Sequence, residues 1–321
     1  MIRFFISCVF LVFSIHSFAS NVGMVVKKQG KAELLSSPSQ TFSGKGKKVL
    51  YEGTYYTLKK VRRGTKIKNG NILRTGNGAK LKVVFKNGDQ FNIGEGTAYK
   101  INWKKNNNLQ KRKSNTTVNL IYGSLRGVIS KKGPRNTLKV KSKNAVMGVR
   151  GTDFSFSQRG TSGKTSISVL RGKVDVSNIN TPKKVVNVQQ GFSAELKLIK
   201  KIKSKAIQPA SLKLVRTSKS ELLQIQKDSK IEKEQDEVVS KEIIKEIKDL
   251  QTKAVSVTMD DIKEYQPQIY QELKKKTITS VDTLNTKVVA TAYKKAPIRN
   301  SKKDIDETDL EENAYKKYFT E

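Results

Sequence analysis

Any acid–base or covalent chemistry in this chain has to come from carboxylates, hydroxyls and amines. The 321-residue sequence holds one cysteine and one histidine, Cys8 and His16. Both lie in an N-terminal run that reads as a removable address, so the mature chain offers no thiolate nucleophile, no imidazole base and no Cys/His zinc site. Carboxylates are sparse through residue 218: Glu33, Glu52, Asp89, Glu95, Asp153, Asp175 and Glu195. Glycoside hydrolysis needs two of them facing one cleft. Asp153 and Asp175 are the pair to consider, and nothing in their spacing brings them together. Asp89 falls at a hairpin turn and Glu95 between two glycines, where turn chemistry accounts for them. Gly76-Asn77-Gly78 and Gly94-Glu95-Gly96 lack the Gly-Lys-Ser/Thr ending of a phosphate loop and read as turns. The expectation is a non-enzyme with no catalytic, cofactor-binding or metal residues.

Those residues hang on a central stretch, Asn144–Ser157, NAVMGVRGTDFSFS. Ala145, Met147 and Val149 alternate before its middle, Phe154 and Phe156 after it, as in strands with one buried face. Between them, Arg150-Gly151-Thr152-Asp153 is built for a bulge or sharp bend, with Gly151 at positive φ. Arg150 could present its fork of donors to a partner's carboxylate. It could instead brace the bend from inside, on carbonyls or on Asp153, and its place between alternating core residues favours the brace.

The run GVRGTDF, the later SVLRGKVDV around Gly172 and the closing VVNVQQGFSAEL around Gly191 together resemble the FecR domain, the periplasmic module of the ferric-citrate regulator family. Upstream, KNGNILRTGNGAKLKVVFKNGDQFNIGEGT fits the same pattern. The resemblance runs from about Gly64 to Leu196. It implies an essentially all-β module with Val149, Arg150, Gly151, Thr152, Asp153, Phe154, Gly172 and Gly191 as motif residues, and a signalling role at the cell envelope. Full-length members place a cytoplasmic sigma-factor-controlling domain and one membrane helix before this module, which hears an outer-membrane receptor. This chain departs from that plan at its N-terminus. After Leu196 it also looks helical rather than like the small α/β receptor-contacting subdomain.

The remaining residues set the frame. Met1–Arg3 is a positive start, Phe4–Ile15 an apolar run and Ser17-Phe18-Ala19 a small-x-small site, which together read as a signal peptide cleaved near Ala19. An uncleaved signal anchor is the alternative, although the apolar run falls short of the roughly 20 residues a bilayer needs. A hydrophobic content of 36% is low for a fully compact fold. Residues 21–63 read as an N-terminal β extension, and 64–196 as the mainly β domain, a sandwich, roll or solenoid-like fold. Its clearest hairpin, Lys80–Ile93, should turn through Lys86-Asn87-Gly88 so that Val83 faces Phe91 and Leu81 faces Ile93. An Arg171-Gly172 turn should likewise pair Val169 with Val174. Ile101–Ser114 reads as a surface loop, its Trp103 capping the core under lysine stems or stacking on a base or sugar. Residues 197–216 are a basic linker. Ser218-Lys219-Ser220-Glu221 is a capping box opening a helical region over 217–300. Its first helix should run to about Lys253, with Val239, Ile243, Ile247 and Leu250 as a narrow stripe for docking or self-association. Further helices are expected over Asp260–Lys276 and Val281–Lys294. Residues 301–321 form an acidic tail expected to be mobile, which could fold onto the basic domain as an inhibitor.

The net charge of +36 is concentrated. Residues 1–218 carry 44 Lys and Arg against 7 acids, and residues 219–321 carry 20 against 21. Such an excess attracts polyanions in a salt-dependent way. Candidate contacts are Lys59, Lys60, Arg62, Arg63, Lys104, Lys105, Lys111, Arg112 and Lys113. An exported chain would meet peptidoglycan, lipopolysaccharide or anionic lipid rather than nucleic acid. The function expected is a periplasmic or secreted binding or signalling module acting through protein–protein contacts; the alternative is a basic envelope-polymer binder. The brace reading of Arg150 carries one expectation of its own, that Arg150→Ala lowers melting temperature more than partner binding.

Overall fold

The computed structural model describes residues 21–42, 45–104, 114–131, 135–159, 164–196, 199–200, 207–208, 212–231, 238–275, 278 and 284–286. The expected export segment 1–20, most of the basic linker and the acidic tail lie outside the described residues.

Alternating sequence builds two sheets. The first runs, in spatial order, β5 (Lys66–Lys68), β1 (Asn21–Gln29), β7 (Lys80–Phe85), β8 (Gln90–Ile93), the second half of β10 (Ser114–Val128), β13 (Asp153–Arg159), β14 (Lys164–Arg171), β17 (Phe192–Leu196) and β20 (Leu212–Arg216). All its neighbours are antiparallel. The second runs β3 (Lys48–Tyr51), β4 (Thr54–Lys60), β2 (Ala32–Ser39), β6 (Ile72–Thr75), β9 (Ala98–Lys104), the first half of β10, β11 (Arg135–Lys141), β12 (Ala145–Val149), β15 (Lys173–Asn178) and β16 (Thr181–Gln189). Here only the β10–β11 pair is parallel. A separate two-stranded ladder joins β18 (Ile199–Lys200) to β19 (Ile207–Gln208). Strand β10 serves both layers: residues up to Tyr122 pair with β9, and those from Gly123 pair with β13.

The layers face each other across one core. Val83, Phe91, Phe154, Phe156, Ile167 and Val169 of the first sheet meet Val118, Val140, Met147, Val174 and Val176 of the second. The fold is thus mainly β, of the sandwich kind among the forms expected. The N-terminal strands are integral to it, β1 lying between β5 and β7 and β2 between β4 and β6. The β7–β8 hairpin has the expected register, Val83 opposite Phe91 and Leu81 opposite Ile93, with Phe85 N–H bonding Asp89 O at 2.9 Å across the loop.

Two expectations about strands fail for physical reasons. Val169 and Val174 are not ladder partners; β14 pairs with β13 and β17, β15 with β12 and β16. At Gly172 the chain crosses between layers, so the same apolar residues meet face to face instead of edge to edge. Ile101–Lys104 is likewise strand, with Trp103 opposite Thr116 rather than in a loop. The chain also crosses at Gly151, and these two corners touch. Gly151 and Gly172 take φ of +64° and +79°, and a Cβ on Gly172 would stand 2.8 Å from Gly151 O.

Helix α1 (Lys219–Ser229) begins at the expected cap, Ser218 Oγ accepting from Glu221 N–H at 3.2 Å. It stops at Lys230, far short of Lys253, where Lys80 Nζ bonds the carbonyls of Lys227 and Lys230. Helix α2 (Lys241–Tyr265) starts afresh on the Ser240 cap, and α3 (Pro267–Lys274) follows with proline in its first turn. Of the expected helix over Val281–Lys294, the described residues 284–286 are helical. The α2 stripe docks within the chain: Ile243, Ile247, Leu250 and Ala254 pack on Met24, Val26 and Val84 of the first sheet's outer face. Leu170 of the same face anchors a second cluster with Leu222, Ile225, Ile262, Ile269 and Leu273. No helix among the described residues is long and apolar enough to cross a membrane.

The corner geometry orders two substitutions. Gly191 also has positive φ, +83°, but a Cβ there meets nothing within 4 Å. Gly191→Ala should therefore cost only the left-handed backbone term, about 1–2 kcal/mol. Gly172→Ala adds a clash with backbone and should cost measurably more, read as the difference in chemical-denaturation midpoints.

Candidate functional site

Beside its apolar contacts with the helices, the outer face of the first sheet carries polar residues that the helices also cover. Following the ladder, Lys27 stands opposite Lys82, Lys82 opposite Asn92, Asn92 opposite Arg126, Arg126 opposite Ser155, Ser155 opposite Ser168 and Ser168 opposite Ser193. One row of polar side chains therefore crosses seven strands. Period-two alternation forces this: with Phe154, Phe156, Ile167 and Val169 committed to the core, Ser155, Ser157, Ser166 and Ser168 must point the other way.

Charge in the seam is arranged as alternating pairs. Arg126 grips Asp153 with two hydrogen bonds, Nε to Oδ1 at 2.9 Å and Nη2 to Oδ2 at 2.7 Å, and the side chains are 2% and 0% exposed. Arg171 lies beside Asp261 of α2, 3.6 Å from Nη2 to Oδ2, and Asp261 also accepts from Lys131 N–H. Burial lowers the Arg171 pKa from its usual value, against the pull of Asp153 and Asp261, and burial raises the Asp261 pKa from the ordinary carboxylate value. Asn285 ties the seam to the last helical residues: its carbonyl accepts from Arg126, and its amide reaches Gln90, which in turn bonds Thr258 of α2. Burial, with Lys27 and Arg126 nearby, pushes the Lys82 ammonium well below its ordinary pKa.

Beside the seam, under α1, lies a cleft of about 410 Å³ lined by Ser124, Ser155, Ser157, Lys164, Ser166, Glu195, Ser218, Ser220, Glu221, Gln224, Ile225 and Asp228. Glu221 does not complete the expected capping box. Its carboxylate turns to the sheet instead, accepting from the Ser166, Ser168 and Ser193 hydroxyls. Asp228 accepts from Ser124 and Gln224 at 2.9 and 2.7 Å, and Glu195 pairs with Lys164 at 3.0 Å.

The residues singled out from sequence fall elsewhere. Asp153 is buried in the seam, while Asp175 is exposed on the second sheet and bonds Asn187, so the two carboxylates share no cleft. Val149, Thr152 and Phe154 are buried. Arg150 is not the brace. It is exposed, and the partner of Asp153 is Arg126, which strand register delivers from 27 residues upstream. Of the basic residues, Lys59, Lys60 and Arg62 are exposed and Arg63 half-buried. Lys104 ends β9, and Lys105, Lys111, Arg112 and Lys113 lie outside the described residues. No signal in the basic clusters pointed to Arg126, Arg171, Lys82 or the serines. One was available: a lysine-rich chain that places serine at two successive outward positions on each of β13 and β14 is marking a covered face.

A two-layer β sandwich with this corner motif is the class the geometry defines. Residues 71–175 match the family model described as FecR protein, a narrower span than the Gly64–Leu196 expected from the motifs. The resemblance read in the sequence is thereby borne out over that stretch. Two crystal structures, each of a proposed anti-sigma factor from Parabacteroides distasonis, are similar in part. One is 14% identical over 45% of this chain and 59% of that chain, with a TM-score of 0.34. The other is 13% identical over 55% and 90%, with a TM-score of 0.35. The chain thus spans about three-fifths of the first of them. No curated protein matches.

Two experiments follow from the seam. Asp153→Ala strands a buried guanidinium and should cost about 3–5 kcal/mol. Arg150→Ala, in an exposed position, should stay within about 0.5 kcal/mol of the parent, against the fall in melting temperature that the brace reading expects. Paired denaturant titrations read both. Lys82 sets a pH dependence. Its unfolded form holds a proton up to the ordinary value of 10.5 and the folded form releases it lower. Between the two the unfolded state binds more protons, so stability rises with pH through that window and the penalty is complete below the folded pKa. Lys82→Met should flatten the rise in melting temperature on the alkaline side relative to the parent.

Proposed function

We propose that the chain is an exported, non-enzymatic signalling module of the cell envelope that acts by binding a protein partner. The observation that carries this is the FecR match over residues 71–175, set in a fold whose C-terminal helices are docked over a buried polar seam. A regulatory role is what the family match supports. Export rests on the N-terminal sequence pattern, and binding without turnover on the separation of Asp153 from Asp175 and the absence of histidine and cysteine beyond residue 20. In this reading a partner protein engages the β module, and the helices on its outer face are the element through which that contact is relayed.

A second reading keeps one specific observation. Lys59, Lys60 and Arg62 stand exposed at the end of β4 and after it, within residues 1–218, which carry the whole charge excess. They suit peptidoglycan carboxylates, lipopolysaccharide or anionic lipid.

Capture from detergent-solubilised envelopes, and on purified peptidoglycan and anionic vesicles, across about 50–500 mM salt distinguishes the two, because the screening length shortens over that range from about 14 Å to about 4 Å. The protein-partner reading expects one crosslinked protein retained at high salt. Retention on polymer or lipid alone, lost steeply with salt and abolished by Lys59→Glu/Lys60→Glu, would replace it with the second.

A further inference from the structure

The cleft under α1 is the least expected feature of so basic a chain. Its lining carries three carboxylates, Glu195, Glu221 and Asp228, against one ammonium, Lys164. These are both acidic side chains of α1 and one of only seven acids in residues 1–218. We propose that this cleft is a binding site for an organic cation, an ammonium or guanidinium group on a flexible stem. The inference goes beyond the signalling role and does not depend on it.

Four observations support it. The hydroxyl of Ser155, a side chain 9% exposed, lines the cleft and has no hydrogen-bond partner among the described residues; the same holds for half-buried Ser157 beside it. An ionised carboxylate has about four acceptor sites. Asp228 has one bond on each oxygen and Glu195 a bond on one, so acceptors remain to meet N–H donors. The volume, about 410 Å³, sits in the range of small-ligand sites and suits a side-chain-sized group rather than a polymer. The lining also excludes other occupants. An anion would face net negative charge. A sugar ring would find no aromatic side chain to stack on, Ile225 being the lone apolar residue. Among the described residues no three Asp, Glu, His or Cys side chains stand close enough to hold a metal ion.

The construction also explains why serine lines the floor. Ser124 and Ser166 donate to Asp228 and Glu221, fixing both carboxylates in place, and the neighbouring Ser155 and Ser157 keep acceptor lone pairs free. Such a rim holds a cationic head by charge-assisted bonds on one side and hydroxyls on the other.

The test uses the full mature chain and cadaverine, with n-pentanol as an uncharged alcohol of the same carbon count, followed by amide resonances of α1, β13 and β14. Saturable shifts with cadaverine, absent with pentanol and weakened by salt, are the expected result. Asp228→Asn should weaken binding about tenfold or more, since a charge-assisted bond is lost. Ser157→Lys, at a half-exposed position, should place a built-in ammonium in the cleft and block cadaverine while leaving the melting temperature unchanged or raised. Equal response to pentanol, no saturable shift, or undiminished binding in folded Ser157→Lys protein each overturns the proposal.

Discussion

Arg126 and Asp153 lock together out of water, in a two-bond pair whose side chains are 2% and 0% exposed. Neither could lie uncovered and keep that burial, so the pair needs a roof. Helix α2 and the residues around Asn285 supply it, and they bring Asp261 to neutralise the neighbouring Arg171. The apolar contacts of Ile247 and Ala254 on Met24 and Val84 hold the roof down. Desolvating paired charges gains little stability over apolar replacements of the same shape. What the arrangement does give is polar contacts between helix and sheet, Asp261 of α2 facing Arg171 and the Asn285 carbonyl accepting from Arg126.

Much of this architecture could be read from the chain before any coordinates. The β7–β8 register followed from the apolar pattern, which left one loop length that put Val83 and Phe91 on the same face. The corner at Gly151 followed from the breaks in alternation on either side. What misled was the assumption that sequence neighbours are spatial partners. Arg150 is three residues from Asp153, yet a guanidinium from a different strand reaches it, because β10 and β13 run antiparallel with Arg126 opposite Ser155. Val169 and Val174 show the same limit. Even spacing of apolar residues is satisfied equally by a hairpin and by two layers facing each other, and only the crossing at Gly172 decides between them.

The cleft was harder to see for a different reason. Outward serines on β13 and β14 look like an ordinary wet face when strands are read one at a time. Their meaning comes from α1, whose Glu221 abandons half of the capping box to accept three hydroxyl bonds from the sheet. A residue type that is locally unremarkable becomes informative once an element 50 residues away is laid over it. Basic side chains, so abundant in the composition, proved a poor guide to where the fold concentrates its polar interactions.

The place of β1 has a consequence for how such modules can be inherited. This strand threads between β5 and β7 and lends Val22 and Val25 to the common core, although it precedes the recognisable family segment by some forty residues. A recombination event that moved residues 71–175 alone would leave β7 with a bare flank and the seam without its lid. The unit that evolution can shuffle intact is therefore longer than the unit that homology detects, and it must carry its own N-terminal strand and C-terminal helices wherever it goes.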